Sequence, residues 1–237
     1  MALDVLRRAL DAAEQNLDEP IPGFDRSQWE QPQLHVGDAR VRFVWNQPAL
    51  GNRRTIERLY RQLLFAVPEG ESARLESAYF TPGKRLRRPL KGLLRRGRRV
   101  VVVTNSRESS DIGIVVTASR GAFDLLLKTS PTAALFEWQP QPGLHTMHSK
   151  VASFGRCGPV IVGSANLDGQ SSEHNSESVV LVYDPEVREA FDAMFEADLV
   201  ASRRITAAQI ERTSWWVRWW RRGVYRLGWA FLGAGPG

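Results

Sequence analysis

Apolar positions in the middle of the chain come in short runs that alternate with longer stretches of helical spacing. Residues 100–104 form a continuous apolar run, which is typical of a strand buried on both faces. Residues 40–45 instead alternate between polar and apolar positions, as a half-buried strand does. The same two patterns predict further strands at residues 74–80, 133–138, 151–154, 160–162 and 178–183.

Helical spacing of apolar residues fills the stretches between these strands. It predicts helices at residues 3–17, 56–66, 84–99, 112–128 and 185–202. Strands that alternate with helices indicate an α/β fold, here a layered mixed β-sheet flanked by helices.

Three segments of different character divide the chain. Residues 1–39 combine the predicted first helix with an irregular linker that contains Pro20, Pro22 and Pro32. Residues 40–203 hold the alternating strands and helices, and so form the expected domain. Residues 204–237 form a basic tail with five of the chain's eight tryptophans.

Charge narrows the choice of partners more than composition does. With 43% hydrophobic and 24% charged residues, the chain has the composition of a globular protein. Its net charge of +6 favours an anionic partner: a phospholipid surface, nucleic acid or a phosphate substrate. Cys157 is the single cysteine, so neither an internal disulfide nor a zinc cluster is expected, and no metal or other cofactor is predicted.

Neither an export signal nor a membrane span is predicted. Residues 1–17 are charged and lack the continuous apolar core of a signal peptide. No run reaches roughly 18 apolar residues, about the shortest that reads as a transmembrane helix. The chain is therefore expected in the cytoplasm or peripherally at the inner face of the membrane.

The residues that suggest chemistry lie at the ends of short predicted strands. His148 and Lys150 are two apart, which on a strand places both side chains on one face. Ser164 and Asn166 follow the next strand, and Glu177 precedes the one after it. This set suits phosphodiester chemistry, with the histidine as nucleophile or acid and the glutamate orienting its ring. The lysine and the asparagine would bind phosphate oxygens.

These residues and several blocks before them resemble the phospholipase D superfamily, and most of all the bacterial cardiolipin synthases. The second HKD motif of those enzymes is similar to His148-x-Lys150, Gly163-Ser164-x-Asn166-Leu167-Asp168 and Asn175-Ser176-Glu177. Earlier blocks in the expected order are Ser77-Ala78-Tyr79-Phe80-Thr81-Pro82-Gly83, Thr104-Asn105-Ser106 and Ser110-Asp111. The resemblance covers residues 40–203 and implies a single phospholipase D-like half-domain.

The resemblance also implies a mechanism that needs two HKD motifs. One histidine attacks phosphorus to give a phosphohistidine, and the other protonates the leaving alcohol. A second alcohol or water then takes the phosphatidyl group, and no metal is required. This chain contains one motif, and the first is expected upstream of Met1. The chain would therefore form a homodimer with its symmetry mate, pair with a separately encoded first half, or be inactive.

Two positions depart from the pattern of the resembled family. Gly155 stands where the motif has an aspartate, five residues after the lysine, and Gln170 stands where an arginine is usual. In the family that aspartate serves mainly as structural support. Its loss is expected to weaken the site less than loss of His148 would, although it also favours an inactive protein.

Two basic stretches suggest a surface that attracts anionic lipid. Residues 84–99 carry nine Lys or Arg, which form either a solvated helix face or a site for lipid headgroups. In the tail, tryptophans alternate with arginines, as in segments that lie at a membrane interface. The predicted membrane-binding residues are Trp215, Trp216, Arg218, Trp219, Trp220, Arg221 and Arg222. The alternatives for the tail are a helix that packs its aromatic face on the domain, or binding to nucleic acid.

Together these features favour a cardiolipin synthase-like phosphatidyltransferase half-domain that acts on anionic glycerophospholipids. A homodimeric phosphodiesterase or endonuclease is the alternative enzyme class, because single-motif relatives in the superfamily cleave nucleic acid. An inactive lipid-binding fragment is the non-enzymatic alternative. The tryptophan-rich tail favours lipid over nucleic acid as the partner.

Overall fold

Eight strands form one mixed β-sheet in the computed structural model, which describes residues 39–231, with the backbone alone for 226–231. The strands are β1 (Arg40–Asn46), β2 (Ser72–Ser77), β3 (Arg99–Asn105), β4 (Ala133–Trp138), β5 (Lys150–Phe154), β6 (Val160–Gly163), β7 (Glu177–Tyr183) and β8 (Ser202–Ile205). Across the sheet they lie in the order β1-β7-β6-β5-β2-β3-β4-β8. Strands β2, β3 and β4 are parallel to one another, and the other neighbours are antiparallel. The mixed sheet that the sequence predicts is confirmed.

Seven α-helices accompany the sheet within the described residues. They are α1 (Thr55–Ala66), α2 (Lys84–Arg95), α3 (Gly113–Leu127), α4 (Gly169–Glu173), α5 (Pro185–Val200), α6 (Ala207–Glu211) and α7 (Trp215–Phe231). A 3-10 turn at Pro48–Leu50 follows β1. Helices α1, α2, α3 and α7 contribute to one apolar core, and α5 contributes to the other.

Strand β3 shows how the sheet separates these two cores. Val100 and Val102 belong to the larger core, whereas Val101 and Val103 belong to the smaller one with Phe195 of α5. Successive strand residues face opposite sides, so a strand covered on both sides needs an unbroken apolar run. The run at 100–104 therefore forms the buried strand that its pattern predicts.

Several boundaries differ from the sequence prediction. Helix α2 ends at Arg95 rather than at residue 99, because Gly97 takes a left-handed φ of 74° and Arg99 already begins β3. Strand β8 was not predicted; the predicted helix ended at residue 202, and the predicted tail began at residue 204. The helix predicted at residues 3–17, with the linker that follows it, lies outside the described residues.

The segment 204–237, predicted as a separate tail, joins the domain as far as it is described. Strand β8 completes one edge of the sheet, and α7 packs on α3. Val224 and Tyr225 lie in the larger core. Gly121 of α3 permits this approach, since a Cβ there would lie only 2.6 Å from the backbone oxygen of Arg221. The packing of the domain therefore continues beyond the predicted boundary.

The exposed side of α7 carries its tryptophans but not all of its arginines. Trp215, Trp216, Trp219 and Trp220 are between 58% and 74% exposed. Arg222 instead pairs with Asp124 of α3, and burial lowers the pKa of Arg221. Of the predicted membrane-binding residues, the tryptophans are thus available at the surface, while Arg221 and Arg222 face the domain. Within the described residues, no helix is long and apolar enough to cross a bilayer.

One face of the sheet is left uncovered by the described chain at β1, β7 and β6. Val41, Phe43 and Trp45 of the edge strand β1 are 57%, 60% and 48% exposed. Phe43 pairs with Val180, which pairs in turn with Val162, and cross-strand partners share a face. We call this apolar surface, formed by Val41, Phe43, Trp45 and Val162, the open sheet face.

Candidate active site

The residues predicted to carry chemistry lie where four neighbouring strands, β2, β5, β6 and β7, begin or end on the same side of the molecule. We call this row of strand ends the catalytic edge. Lys150 begins β5 and pairs with Ser77, the last residue of β2. Ser164 follows β6, and Glu177 begins β7. Antiparallel neighbours run in opposite directions, so the ends of β2 and β6 lie beside the beginnings of β5 and β7. The residues predicted from the sequence are therefore brought together at this edge.

His148 and Lys150 contact each other, although not through the strand alternation that was predicted. His148 lies exposed in the loop before β5, whereas Lys150 is 9% exposed. The Lys150 Nζ donates to the His148 carbonyl at 2.8 Å and lies 3.2 Å from His148 Nδ1. An ammonium can only donate, so Nδ1 accepts. In this arrangement the neutral ring therefore carries its proton on Nε2.

Glu177 is buried and accepts three hydrogen bonds, none of which comes from His148. Ser164 Oγ donates to Oε2 at 2.5 Å, while Ser171 Oγ and Asn175 Nδ2 donate to Oε1 at 2.9 and 3.2 Å. The predicted contact between Glu177 and the imidazole is thus not present in this structure. The carboxylate instead fixes the Ser164 hydroxyl and the loop that precedes β7.

Asn166 is held in place in a way that leaves its amide nitrogen free for a ligand. Its backbone N–H donates to Ser171 Oγ at 3.0 Å, and its Oδ1 lies 3.4 Å from both Ser77 Oγ and the Tyr79 backbone nitrogen. Its Nδ2 has no hydrogen-bond partner among the described residues. Asn166 can therefore present N–H donors at the site.

Two contacts that position the site were not assigned from the sequence. The Tyr79 hydroxyl donates to both carboxylate oxygens of Asp111, at 2.7 and 2.8 Å, and burial together with this contact raises the pKa of Tyr79 to about 12. Asn105 donates to the Met147 carbonyl at 2.8 Å and accepts from its N–H at 3.2 Å, which holds the loop that leads to His148. Tyr79, Asn105 and Asp111 all lie in blocks that carried the resemblance, which was the only available signal.

Lys150 supplies positive charge in an acidic surrounding. Burial lowers the pKa of its ammonium, and the carboxylates of Glu177, Asp168 and Asp111 raise it. Asp168 caps α4 by accepting the Ser171 N–H at 2.8 Å, yet burial raises its pKa. No group of three or more potential metal ligands occurs among the described residues. The charged form of Lys150 is thus favoured by three carboxyl groups of the same site.

A buried carboxyl group lies directly behind the segment from His148 to Lys150. Glu76 of β2 is 1% exposed and accepts a hydrogen bond from the hydroxyl of Ser149. Burial, with a smaller contribution from Asp198, raises the pKa of Glu76 to about 7. Its second oxygen accepts no hydrogen bond among the described residues, and the neighbouring Asp198 carboxylate also favours the protonated form of Glu76.

Gly155, at the position of the motif aspartate, has no room for a side chain. Its φ is 69°, and a Cβ would collide with the Glu71 carboxylate and the Pro68 ring. The Glu71 carboxylate also accepts the backbone N–H of Arg156 at 2.5 Å. A carboxylate from the loop before β2 thus occupies the space that an aspartate would need. Gln170, at the other departure, is exposed on α4.

The sheet topology and the residues at its strand ends define a phospholipase D-like domain. The structure is similar to Nuc, a phospholipase D family member from Salmonella typhimurium, with a TM-score of 0.56 and 18% identity over 72% of this chain and 100% of that chain. It is also similar to phosphatidylserine synthase from Haemophilus influenzae, with a TM-score of 0.61 and 16% identity over 82% of this chain and 47% of that chain. At these identities the likeness shows the fold.

The sequence places the chain in one family within this class. The family model for the cardiolipin synthase, PLD-like domain matches residues 68–199, and the chain belongs to this family. Cardiolipin synthase B of Salmonella typhi is 26% identical over 206 residues, which are 84% of this chain and 47% of that protein. The chain thus spans about half the length of the curated relatives it matches. The predicted relationship to the phospholipase D superfamily is confirmed.

Replacing Glu76 by glutamine should remove part of the pH dependence of stability. Because the pKa rises from 4.5 to about 7 on folding, the native protein binds this proton more tightly than the unfolded chain does. The free energy of unfolding should therefore fall by about 3 kcal/mol through this group as pH rises across that window, and then level off. The Glu76→Gln side chain stays neutral, so the free energy of unfolding of this variant, measured by urea denaturation, should fall correspondingly less over the same pH range.

Glu189→Gln is the matched control, because Glu189 is exposed on α5. It should keep the pH dependence of the wild type. Equal pH dependence in wild type and Glu76→Gln would show that Glu76 does not hold its proton as inferred.

Proposed function

We propose that the chain is one half of a phospholipase D-type phosphatidyltransferase in which His148 acts on the phosphodiester. The observation that carries the proposal is the contact of Lys150 with His148 at the sheet edge, in a chain of the cardiolipin synthase, PLD-like domain family. The ring is exposed, so a phosphodiester can reach it. Lys150 and Asn166 would bind phosphate oxygens, and Glu177 holds the hydroxyl of Ser164 beside them.

We assign His148 to the acid step of the transfer. For this step the ring would first bind a second proton, because a neutral imidazole is too weak an acid, and the imidazolium could then protonate the leaving alcohol and return to the neutral ring. The histidine of a second motif would attack phosphorus, forming a P–N bond as the bond to the leaving oxygen breaks. The acceptor alcohol would then return its proton to His148 as it attacks the phosphohistidine and frees the second histidine.

The charge balance around Lys150 supports the need for a second motif. Three carboxylates act on its single ammonium, so this half alone gives a phosphate little net electrostatic stabilisation. A partner domain that presents another lysine and histidine across the phosphate would supply both the missing charge and the nucleophile.

The open sheet face is where we place that partner domain, as a second copy of this chain. A groove of about 540 Å³ begins on this face at Phe43 and Trp45 and reaches Ser164 and Glu177. An exposed apolar surface continuous with a site commonly marks an interaction surface.

Glycerophospholipid is the substrate class that the relatives' names support. They include cardiolipin synthase B and phosphatidylserine synthase, whose products are phospholipids. For this chain the proposed reaction is transfer of a phosphatidyl group from an anionic glycerophospholipid to an alcohol. Cleavage of another phosphodiester, including nucleic acid, is the alternative that the same site chemistry would allow.

Helix α7 is proposed to hold the protein peripherally at an anionic membrane surface, on the cytoplasmic side. Its four exposed tryptophans form one stripe, since positions 215, 216, 219 and 220 repeat at helical spacing. Tryptophan side chains favour the interface between lipid headgroups and acyl chains. Arg218 and the net charge of +6 would add electrostatic attraction.

His148→Ala should lower phosphatidyl transfer by about 100-fold or more, because a methyl group can neither donate a proton nor attack phosphorus. The measurement is product formation from phosphatidylglycerol vesicles, with nucleic acid offered in parallel. His145→Ala is the control, since His145 is exposed in the same loop and should be dispensable.

A His148→Ala protein that keeps more than about a tenth of wild-type activity would contradict the site assignment. Activity on nucleic acid alone would favour the phosphodiesterase alternative. A wild-type dimer with neither activity would favour the inactive lipid-binding alternative.

The wild-type chain should be a dimer, and Phe43→Glu should dissociate it by placing a carboxylate in an apolar interface. Sedimentation equilibrium measures the change directly. Val200→Glu is the matched control, because Val200 is 88% exposed at the end of α5, away from the open sheet face. A monomeric wild type would contradict the homodimer and favour a separately encoded partner half.

Trp215→Ser with Trp219→Ser should weaken co-sedimentation with phosphatidylglycerol vesicles about tenfold or more, and wild-type binding should fall with added salt. Both side chains are at least 70% exposed, so the fold should survive. Deleting α7 would not be a clean test, because Tyr225 belongs to the core.

Leu50→Ser with Phe65→Ser is the control for general loss of exposed apolar surface, since these side chains are 75% and 56% exposed outside α7. It should bind vesicles as the wild type does. Equal binding by the tryptophan variant, or equal binding of the wild type to neutral phosphatidylcholine, would remove the membrane proposal.

A further inference from the structure

A cavity of about 370 Å³ lies at the opposite end of the central strands from His148. Its lining includes Ser72 and Arg74 of β2, Arg99 of β3 and Ser153 of β5. Ser72 pairs with Arg99 and Arg74 pairs with Ser153, and paired residues share one face of the sheet. The volume suits a small molecule, but the lining is charged and polar, which favours a charged ligand.

The cavity holds arginine donors that the protein itself does not use. Arg74 is paired with Asp192 at 3.1 Å. Arg99 and Arg156 are exposed at the mouth of the cavity, and their guanidinium groups have no hydrogen-bond or ion-pair partner among the described residues. Arg188 gives one N–H to a backbone carbonyl, and burial lowers its pKa. An anion bound here would relieve that cost of burial.

The charge balance in the cavity also favours an anion. The four arginines face two carboxylates in the cavity, Glu71 and Asp192, and Glu196 also pairs with Arg74 at 3.0 Å, which leaves a net charge of +1. Gly155 lines the same cavity, so an aspartate at this motif position would have added a third carboxylate. Ser153 is 1% exposed and its hydroxyl has no partner among the described residues, which makes it a further available donor.

We propose that this cavity is a second anion site, which binds a phosphate monoester through Arg99, Arg156 and Arg188. A monoester carries about −1.5 to −2 charges at neutral pH, opposite in sign to the charge of the cavity. Guanidinium groups donate paired N–H bonds to phosphate oxygens, and the hydroxyls of Ser72 and Ser153 can complete the shell.

This site is separate from the catalytic edge and independent of the proposed transfer reaction. Gly155 is five residues beyond Lys150 along β5, a distance of about 17 Å in an extended strand. The same phosphate monoester chemistry occurs in soluble metabolites and in the headgroup of phosphatidic acid, and the experiment distinguishes these two sources.

The test follows the amide signals of the whole 237-residue chain by NMR during titration with inorganic phosphate. It uses the Lys150→Ala variant, in which phosphate binding at the catalytic edge is weakened. Saturable shifts are expected at Ser72 and Gly155, and Arg99→Ala with Arg156→Ala should weaken the apparent affinity about tenfold or more. Arg42→Ala with Arg95→Ala removes the same charge from exposed positions elsewhere and should leave the affinity unchanged.

Shifts that do not saturate, or an equal loss of affinity in both double variants, would overturn the proposal. Vesicles that contain phosphatidic acid then identify the source. If they bind the wild type more tightly than the Arg99→Ala, Arg156→Ala variant, the ligand is a lipid headgroup. If only free phosphate distinguishes the two proteins, the ligand is a soluble monoester. Both results support the site.

Discussion

The pairing of β5 with β2 and β6 is the constraint on which the candidate site depends. It sets Lys150 against Ser77, and it brings the loop after β6 beside the loop that carries His148. Side chains alternate along a strand, so a slip of one residue would turn Lys150 from the site to the opposite face. A slip would also exchange the residues of the two apolar cores, and core burial therefore enforces the register that the chemistry needs.

Burial disfavours a charge on both Lys150 and Glu76, but only Lys150 has opposite charges that offset this effect. Lys150 stays close to three carboxylates that favour its charged form, whereas Glu76 lies where desolvation favours the neutral form. Ser149 connects them, since it lies next to the lysine and donates to Glu76. The two ionisable groups themselves lie on opposite faces of the sheet, because Lys150 pairs with Ser77 whereas Glu76 pairs with Val151.

The sequence predicted most of the sheet, because buried strands need apolar runs whatever their neighbours are. Strand β8 was not predicted, because its two central residues are exposed arginines at the edge of the sheet and the strand has no apolar pattern. Single contacts were harder to predict. The bond between Tyr79 and Asp111 joins residues 32 positions apart, and Glu177 binds Ser164 rather than the histidine because the β6–β7 register places them together. The motif blocks in the sequence indicate which residues belong to the site, but they do not indicate which of these residues contact each other.

Helix α7 belongs both to the core of the domain and to the exposed tryptophan stripe, so the two form and unfold together. Tyr225 fills the core from one side of the helix while the tryptophans project from the other, so the stripe exists as one surface only when the core is packed. A ligand that recognises such a surface binds the folded chain and not the unfolded one, and by mass action it adds to the free energy of unfolding. Occupancy of the stripe would thereby set how long the protein survives proteolysis in the cell.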